Sequence, residues 1–360
     1  MPDAPAPNPQ SPTPNPLLVA SSPHLRQSAT SQRIMLEVAI ALLPAVAMAI
    51  YNFRLNALAI LIACVGAALI TEAIFNRVRR LDQTALDGSA LVTGIILALS
   101  VPPTLPIWMA VVGAVVAIAI GKMVFGGLGA NILNPAMVGR AFLVASFGVY
   151  MSNYTTPVPD RAPIVAQAQQ SEIDAITQAT PLGQYKAALK AAAKDPESLQ
   201  PQQDVQQLEA QLEDVFTGVI PGSLGETSAL MVLIGGAFLL LRRTITWHIP
   251  TAMLATAALI SAIAWLLNPD LNLNPLYHLS AGSLLFGAFF IATDPVSCPL
   301  SRTGRLLFGA GAGAIVMLIR LYGGYPEGVM FAILFMNALT PLLDRWTRPT
   351  PTGGHTPKPA

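Results

Sequence analysis

Charged residues are scarce in this chain of 360 residues. They make up 11% of it and hydrophobic residues 53%, whereas a soluble domain carries about 25% charged residues. This scarcity excludes an ordinary water-soluble globule and favours a protein that crosses a membrane several times. An excess of charge of one sign is also lacking, because 20 Lys and Arg residues face 19 Asp and Glu residues. The absence of a basic field argues against nucleic acid as a partner.

Cysteine and the usual catalytic motifs are equally sparse. Cys64 and Cys298 are the two cysteines, too few for a disulfide scaffold or for the four thiolates of an iron–sulfur cluster. Four His residues are scattered without the spacing of metal ligands, so we expect no metal site. Neither a Walker motif nor a G-x-G-x-x-G turn opens a strand–helix unit, and we therefore assign no catalytic residue and no nucleotide site to this chain.

Apolar segments fill most of the chain and predict an all-α polytopic membrane protein. We count ten of them: 34–53, 55–75, 88–101, 107–125, 132–150, 228–241, 246–267, 280–293, 305–321 and 326–343. A full span needs about 20 apolar residues. The third and eighth segments are too short for that and are flanked by Gly and Pro, which predicts broken or partly inserted helices.

The apolar segments and the polar stretches divide the chain into five regions. We predict a disordered Pro-rich tail at 1–32, a first five-segment repeat at 33–150, a polar loop at 151–226, a second five-segment repeat at 227–345 and a second tail at 346–360. The tails have too little apolar surface to fold. The polar loop holds ten acids against four bases, and its stretch 184–215 is rich in Ala, Gln, Lys and Glu, which favours partly helical structure.

Arginines mark alternate ends of the segments. They are Arg26 and Arg33 before the first, Arg77, Arg79 and Arg80 after the second, Arg242 and Arg243 after the sixth, Arg302 and Arg305 after the eighth, and Arg345 and Arg348 after the tenth. The positive-inside rule therefore places both termini in the cytoplasm. By parity, the polar loop lies on the outer side of the membrane.

A weak internal repeat accompanies the odd number of segments in each half. The sequence Asp87-Gly88-Ser89 opens the third segment and Ala281-Gly282-Ser283 opens the eighth, while Gly-Gly pairs follow the fourth and ninth segments. Halves with an odd number of segments have opposite orientations, and inverted repeats place ligand sites at broken helices near the membrane midplane. Recurrence of Gly pairs by chance in a helical membrane protein is the alternative; we favour the repeat.

One motif lies in the polar loop, at Asp174-Ala175-Ile176-Thr177-Gln178-Ala179-Thr180. Composition alone predicts a turn there, since Asp and Thr form local side-chain hydrogen bonds and Pro181 follows. The motif nevertheless resembles D-x-x-[ST]-x-A-T, the pattern that a dedicated flavin transferase recognises. The resemblance implies FMN joined through its phosphate to the Thr180 hydroxyl on a flexible arm, with Asp174 and Thr177 as recognition elements.

Further motifs extend this resemblance to the whole membrane part. They are Ser21-Ser22-Pro23-His24-Leu25-Arg26, Asn131-Ile132-Leu133-Asn134-Pro135, Ala292-Thr293-Asp294-Pro295-Val296, and Leu318-Ile319-Arg320-Leu321-Tyr322-Gly323-Gly324-Tyr325-Pro326-Glu327-Gly328. On these residues the chain resembles the D subunit of Rnf-type ion-translocating ferredoxin:NAD oxidoreductase complexes, a family similar to the B subunit of sodium-pumping NADH:quinone reductase. The resemblance runs from about residue 21 to 345, and the Pro-rich tails and the Ala- and Gln-rich part of the loop depart from it.

The resemblance implies a fold, cofactors and partners. The fold would be two inverted five-segment repeats similar to urea and ammonium transporters, in a bacterial inner membrane, with the FMN loop in the periplasm. A noncovalent riboflavin would accompany the covalent FMN. The implied partners are the flavin transferase, membrane lipid and five further proteins of the complex: the flavoprotein RnfG, the membrane proteins RnfA and RnfE, the iron–sulfur protein RnfB and the NADH-binding protein RnfC.

The same resemblance implies a membrane electron-transfer subunit that relays electrons through FMN and riboflavin, coupled to translocation of Na⁺ or H⁺. Electrons would reach the FMN from a partner flavoprotein and return towards the cytoplasmic side through riboflavin. The flavins would perform the electron chemistry. A small-solute channel or transporter of the same fold is the alternative, because a fold does not decide a function.

Three polar side chains near the fifth segment are candidate flavin ligands. Asn131 and Asn134 have helical i, i+3 spacing before Pro135, so their amides can meet the donor and acceptor edge of a flavin ring. Helix capping by Asn is the structural alternative. Arg140 either pairs with an acid or anchors a flavin phosphate or ring oxygen.

Carboxylates inside the membrane are costly and mark candidate ion sites. Asp294 ends the broken eighth segment, where freed carbonyl groups can help to bind a cation. Glu327 opens the tenth segment, where it is either part of an ion pathway or a complement to the helix dipole. Glu72 either serves an ion or pairs with an arginine such as Arg77.

Overall fold

The computed structural model describes residues 30–80, 87–155, 179–195, 198–218 and 220–348. Within these ranges every regular element is a helix, which confirms the all-α class. Helices from both halves share one large apolar core, and a smaller one lies in the polar loop.

The first predicted pair of segments forms one element, α1 (Ser31–Arg79, 49 residues). At Arg54 the backbone leaves the helical region, with φ 49° and ψ −125°. An unbroken helix of this length would extend about 73 Å, more than twice the thickness of the hydrocarbon layer. The break therefore divides α1 into two helical stretches at the predicted boundary between 34–53 and 55–75.

The rest of the first half consists of shorter helices. They are α2 (Ser89–Leu99), α3 (Ile107–Ile118), which continues as a π-helix (Ala119–Met123), α4 (Pro135–Ser146) and α5 (Gly148–Met151). The predicted fifth segment, 132–150, begins too early, because its first residues, 132–134, are not helical. Pro135 occupies the first turn of α4, the position where its missing N–H is harmless.

Over its described residues, the polar loop contains three helices, which confirms the partly helical structure predicted for 184–215. They are α6 (Pro181–Lys194), α7 (Gln200–Ala210) and α8 (Leu212–Thr217). Their apolar residues form the small core with Leu273 and Tyr277 from the second half of the chain. The loop helices are thus packed against the membrane part and do not project from it.

The second half has six helices. They are α9 (Ala229–Leu241), α10 (His248–Leu267), α11 (Pro275–Ser280), α12 (Leu284–Phe286) with a π-helical continuation (Gly287–Ile291), α13 (Arg302–Tyr322) and α14 (Val329–Trp346). The eighth predicted segment is indeed broken, because residues 281–283 separate α11 from α12.

Four of the described helices are long and apolar enough to cross a membrane: α1, α10, α13 and α14. Four shorter apolar elements accompany them: α2, α3 with its π-helical end, α4 and α9. In each long helix, between 28% and 44% of an 18-residue apolar stretch is buried inside the protein. The exposed apolar remainder is typical of a surface that faces lipid. These features support a polytopic membrane protein, and the count of ten segments remains a prediction.

The helix α2 begins at a glycine in the left-handed region. Gly88 has φ +83°, and the next residue, Ser89, donates its backbone N–H to Asp87 Oδ1 (2.7 Å) and its hydroxyl to the same oxygen (2.5 Å). The buried cation Lys122 lies against the Ser89 hydroxyl, at 2.5 Å.

The helix α12 begins in a closely similar way. Gly282 has φ +71°, and Ser283 donates both its backbone N–H and its hydroxyl to the carboxylate of Glu327. A Cβ on Gly282 would overlap that carboxylate, so only glycine fits. The buried cation Arg320 lies 3.6 Å from Glu327. The two Gly-Ser openings noted in the sequence thus share a left-handed glycine, a carboxylate and a buried cation.

Candidate functional site: two cavities

Thr180, the predicted attachment residue, is the N-cap of α6. Its Oγ1 accepts a hydrogen bond from the Gly183 N–H at 3.1 Å, and its side chain is half-buried. Pro181 follows at the first helical position. The predicted recognition residues Asp174 and Thr177 lie outside the described residues.

Two side chains fix α6 to the rest of the protein. Lys186 Nζ donates to the carbonyl oxygens of Ile319 (3.0 Å) and Arg320 (2.8 Å) at the end of α13. The Tyr185 hydroxyl donates to Asn272 Oδ1 at 3.0 Å. Thr180 therefore begins a docked helix, and the flexible arm that would carry the flavin stays a prediction. Burial and the neighbouring Lys190 lower the pKa of Lys186.

Thr180 lines a cavity of about 260 Å³, which we call the Thr180 cavity. Its other walls come from the start of α6, residues 220–222, Glu226, the break at Ala281 and Gly282, and Glu327. Two carboxylates thus share a small cavity with the predicted flavin attachment residue. Glu327 was predicted as a site residue from the sequence, but Glu226 was not. Glu226 belongs to a polar loop, where acidic residues are common and do not by themselves indicate a site.

Two buried arginines pair with these carboxylates. Arg140 from α4 lies 3.5 Å from Glu226, and Arg320 from α13 lies 3.6 Å from Glu327. Arg320 also donates to the carbonyl oxygens of His278 and Ala281 at the break before α12. Burial, followed by the charge of Glu327, raises the pKa of Glu226 to about 7, and Arg140 opposes that shift. Arg140 thus pairs with an acid, which is one of the two roles predicted for it from the sequence.

A second and larger cavity, the Asn131 pocket, lies between helices of both halves. It encloses about 730 Å³, including the part that opens to the outside. Its apolar walls include Met35, Val92, Ile96, Leu239, Phe289 and Phe290. Asn131, Asn134 and Asp294 all line it, whereas Arg140 does not. The structure therefore brings together three of the predicted site residues, although Asp294 lies far along the chain from the two asparagines.

The two asparagines play different structural parts in this pocket. Asn134 caps α4, since its Oδ1 accepts from the Met137 N–H at 3.3 Å. Asn131 lies before the helix, so the two amides do not share a helical face as the spacing predicted. Its Nδ2 donates to the Leu133 carbonyl oxygen, but its Oδ1 is buried without a hydrogen-bond partner among the described residues. An unsatisfied buried acceptor in a pocket wall is available to a hydrogen-bond donor of a ligand.

Asp294 follows the π-helical end of α12. Its carboxylate accepts from the Ser297 hydroxyl at 2.9 Å and from the Val296 N–H at 3.3 Å. Glu327, the other predicted ion residue, lines the Thr180 cavity. The two predicted ion residues therefore belong to different cavities and do not form one site.

Lys122 is the residue of the Asn131 pocket that the sequence analysis missed. Its Nζ lies 2.8 Å from both carboxylate oxygens of Glu72 and 2.5 Å from the Ser89 hydroxyl. The Lys122–Glu72 pair is almost fully buried. It also gives Glu72 a partner that the sequence analysis had not considered. The signal was present in the sequence, because Lys122 is the single charge in the apolar segment 107–125.

Metal binding finds no support in the side chains that the structure describes. Over those residues, no group of three or more His, Cys, Asp or Glu side chains is arranged to hold a metal ion.

A protein-family model described as NQR2, RnfD, RnfE matches residues 18–353. The chain belongs to the NQR2, RnfD, RnfE family. This match includes the motif at 174–180 and every helix that lines the two cavities.

Relatives with assigned names align with nearly the whole chain. The D subunit of the proton-translocating ferredoxin:NAD(+) oxidoreductase complex of Clostridium ljungdahlii is 39% identical over 338 residues, 93% of this chain and 96% of the relative. The D subunit of the Na(+)-translocating complex of Acetobacterium woodii is 41% identical over 334 residues, covering 92% and 94%. The D subunit of the ion-translocating oxidoreductase complex of Cronobacter sakazakii is 39% identical over 352 residues, covering 92% and 97%.

Proposed function

We propose that this family member is a membrane electron-transfer subunit of an ion-translocating oxidoreductase complex in a bacterial inner membrane. Its relatives are named as the D subunit of such complexes, which implies further subunits as partners. Two flavins would serve the relay: FMN bound covalently to Thr180, and riboflavin in the Asn131 pocket. Bound flavin would supply one-electron chemistry, and the protein would bind, orient and electrostatically tune it.

The position of Thr180 is the observation that carries the proposal. An N-cap hydroxyl lies where the unpaired backbone N–H groups and the positive end of the helix dipole favour an anion. A phosphoester on Thr180 Oγ1 would therefore put phosphate charge at the start of α6. The sequence motif that ends at Thr180 supports the same attachment.

The Asn131 pocket fits a flavin ring in the chemistry of its walls. Small-molecule sites are mostly apolar with a few directed polar groups. Phe289 and Phe290 supply aromatic walls. The unpartnered Asn131 Oδ1 is an acceptor for a ring N–H group, while Asn134 caps α4 and so fixes the segment that carries Asn131.

The two Gly-Ser helix starts support an inverted repeat. Ser89 and Ser283 each donate two hydrogen bonds to a carboxylate, next to a left-handed glycine. In an inverted repeat these starts would face opposite sides of the membrane. With the orientation that the arginine distribution predicts, Ser89 would lie on the cytoplasmic side, and Ser283 and Thr180 would lie on the periplasmic side.

The coupled ion would be Na⁺ or H⁺. A relative named for proton translocation and a relative named for Na⁺ translocation have similar sequence identity to this chain. Sequence identity therefore does not distinguish the two ions. Asp294, a half-buried carboxylate in the wall of the Asn131 pocket, is our candidate for handling the ion there, and Glu327 is the corresponding candidate at the Thr180 cavity.

A denaturing gel tests the proposal directly. The full chain, produced with a flavin transferase, should give a band that fluoresces under ultraviolet light, because a covalent flavin survives denaturation. Riboflavin should be released into the supernatant of the denatured native protein. A dark band and a colourless native preparation would favour the alternative, a small-solute channel or transporter.

A further inference from the structure

Lys122 brings a buried cation to the wall of the Asn131 pocket. Lys122 and Ser89 are among the residues that line the pocket, whereas Glu72 and Asp87 are not. The Lys122 Nζ lies 2.5 Å from the Ser89 hydroxyl and 2.8 Å from the Glu72 carboxylate. The cation of this buried pair therefore belongs to a residue of the pocket wall, and its counter-ion belongs to a residue outside that wall.

The local backbone holds Lys122 in this position. It lies in the π-helical end of α3 (Ala119–Met123), and such π-bulges are frequent at functional sites. Gly121 packs so closely on the start of α4 that an added Cβ would lie 2.8 Å from the Pro135 Cα. This contact places Lys122 beside the segment that carries Asn131.

A negatively charged residue, Asp294, also lines the pocket. Among the described residues that line it, Lys122 and Asp294 are the two that carry charge. They come from different halves of the chain, and the apolar side chains around them provide little screening. A ligand that gains negative charge in this pocket would be stabilised by Lys122 and destabilised by Asp294.

We propose that Lys122 is a positioning residue for the electron acceptor in the Asn131 pocket and stabilises the negative charge that reduction adds to it. This inference rests on the proposed function, in which riboflavin occupies the pocket. Bound flavin would supply the electron chemistry, no covalent bond would form or break, and Lys122 would contribute its positive charge beside the flavin. Charge near the pyrimidine side of a flavin ring is a recognised means of setting its potential.

The test compares the affinities of the full-length chain for oxidised and reduced riboflavin, measured anaerobically in a Thr180→Ala background that lacks covalent FMN. The main variant is Lys122→Met combined with Glu72→Gln, because removing the lysine alone would leave a buried, uncompensated carboxylate. We expect its preference for the reduced form over the oxidised form to fall about tenfold or more relative to the parent. Lys122→Arg should retain the preference, and Asp294→Asn should increase it.

Each result decides the matter. The inference would be overturned if the double variant at Lys122 and Glu72 kept the parent's preference for reduced over oxidised riboflavin. It would also be overturned if the affinities for both redox forms fell equally, because a purely structural role weakens the binding of both forms alike. The proposed function fails separately if the parent chain with wild-type Lys122 binds riboflavin in neither form. In that case the inference fails with it.

Discussion

Lys186 donates a 2.8 Å hydrogen bond to the carbonyl oxygen of Arg320, and this contact connects the helix after Thr180 to the end of α13. Arg320 in turn lies 3.6 Å from Glu327 and donates to the carbonyl oxygens at the break before α12. The N-cap that is proposed to carry FMN thereby shares a cavity with the carboxylate of this ion pair and with the break before α12. A change of charge at Thr180 would act on Glu327 directly, because both line one cavity.

Substitution of Lys186 should loosen this docking. Lys186→Met removes two hydrogen bonds to helix C-terminal carbonyls, which should destabilise the loop helices by about 1–3 kcal/mol. Limited proteolysis should then cut the loop faster, while intact-mass analysis still finds covalent flavin. Lys190→Met on the exposed face of the same helix is the matched control. Equal cleavage rates for the two variants would contradict the role assigned to Lys186.

Substitution of Thr180 should separate attachment from folding. Thr180→Ala removes the hydroxyl and an N-cap, which costs about 0.5–2 kcal/mol of stability. Thr180→Asn keeps an N-cap acceptor for the Gly183 N–H but offers no hydroxyl. Both variants should give a band without fluorescence and a mass without FMN, and the Asn variant should unfold closer to the wild-type temperature. Undiminished FMN on either variant would refute attachment at Thr180.

The two asparagines of the pocket should respond differently to alanine. Asn131→Ala removes an unpaired acceptor, so we expect less extractable riboflavin with little loss of thermal stability. Asn134→Ala removes the cap of α4 and should lower stability by about 0.5–2 kcal/mol. Flavin extraction and thermal unfolding in detergent measure both effects. Normal riboflavin in the Asn131 variant would argue against its role as a ligand.

Glu226 should make stability depend on pH. Its pKa rises from an ordinary 4.5 to about 7 in the folded protein, so the folded state binds more protons than the unfolded state between these values. Stability should therefore fall as the pH rises from about 4.5 towards 7. Glu226→Gln should flatten this part of the curve of unfolding temperature against pH. An unaltered slope in this variant would contradict the assignment.

Asp294 should matter for ion movement in the assembled complex. Asp294→Asn removes a half-buried charge but can keep the hydrogen bond from the Val296 N–H, so the fold should persist while ion pumping into membrane vesicles declines. Asp270→Asn, in an exposed position on the link after α10, serves as the control. Pumping at the control's level in the Asp294 variant would remove Asp294 from the ion pathway.

The sequence predicted most accurately the features that depend on residues close together in the chain, such as the start of a helix or a break in it. The broken eighth segment follows from its short apolar run, and the start of α4 follows from an Asn cap and a Pro at the first helical turn. The i, i+3 reading of Asn131 and Asn134 was wrong for the same local reason, because that Pro begins the helix after both amides. Arg140 was expected to pair with an unspecified acid or to contact a flavin, and only the tertiary structure identifies Glu226 as the acid within reach.

Hydropathy, arginine spacing and the motif ending at Thr180 by themselves determined the helical membrane class, the predicted orientation and the candidate attachment residue. Only the tertiary structure shows that Lys122 pairs with Glu72, 50 residues away. It also shows that Asn131 and Asp294 line one pocket and that Thr180 and Glu327 line another. The physical reason is that propensity and hydropathy act between near neighbours in the chain. The partner of a buried charge is set instead by which distant helices pack together, since a charge removed from water must be compensated by whatever group that packing brings within reach.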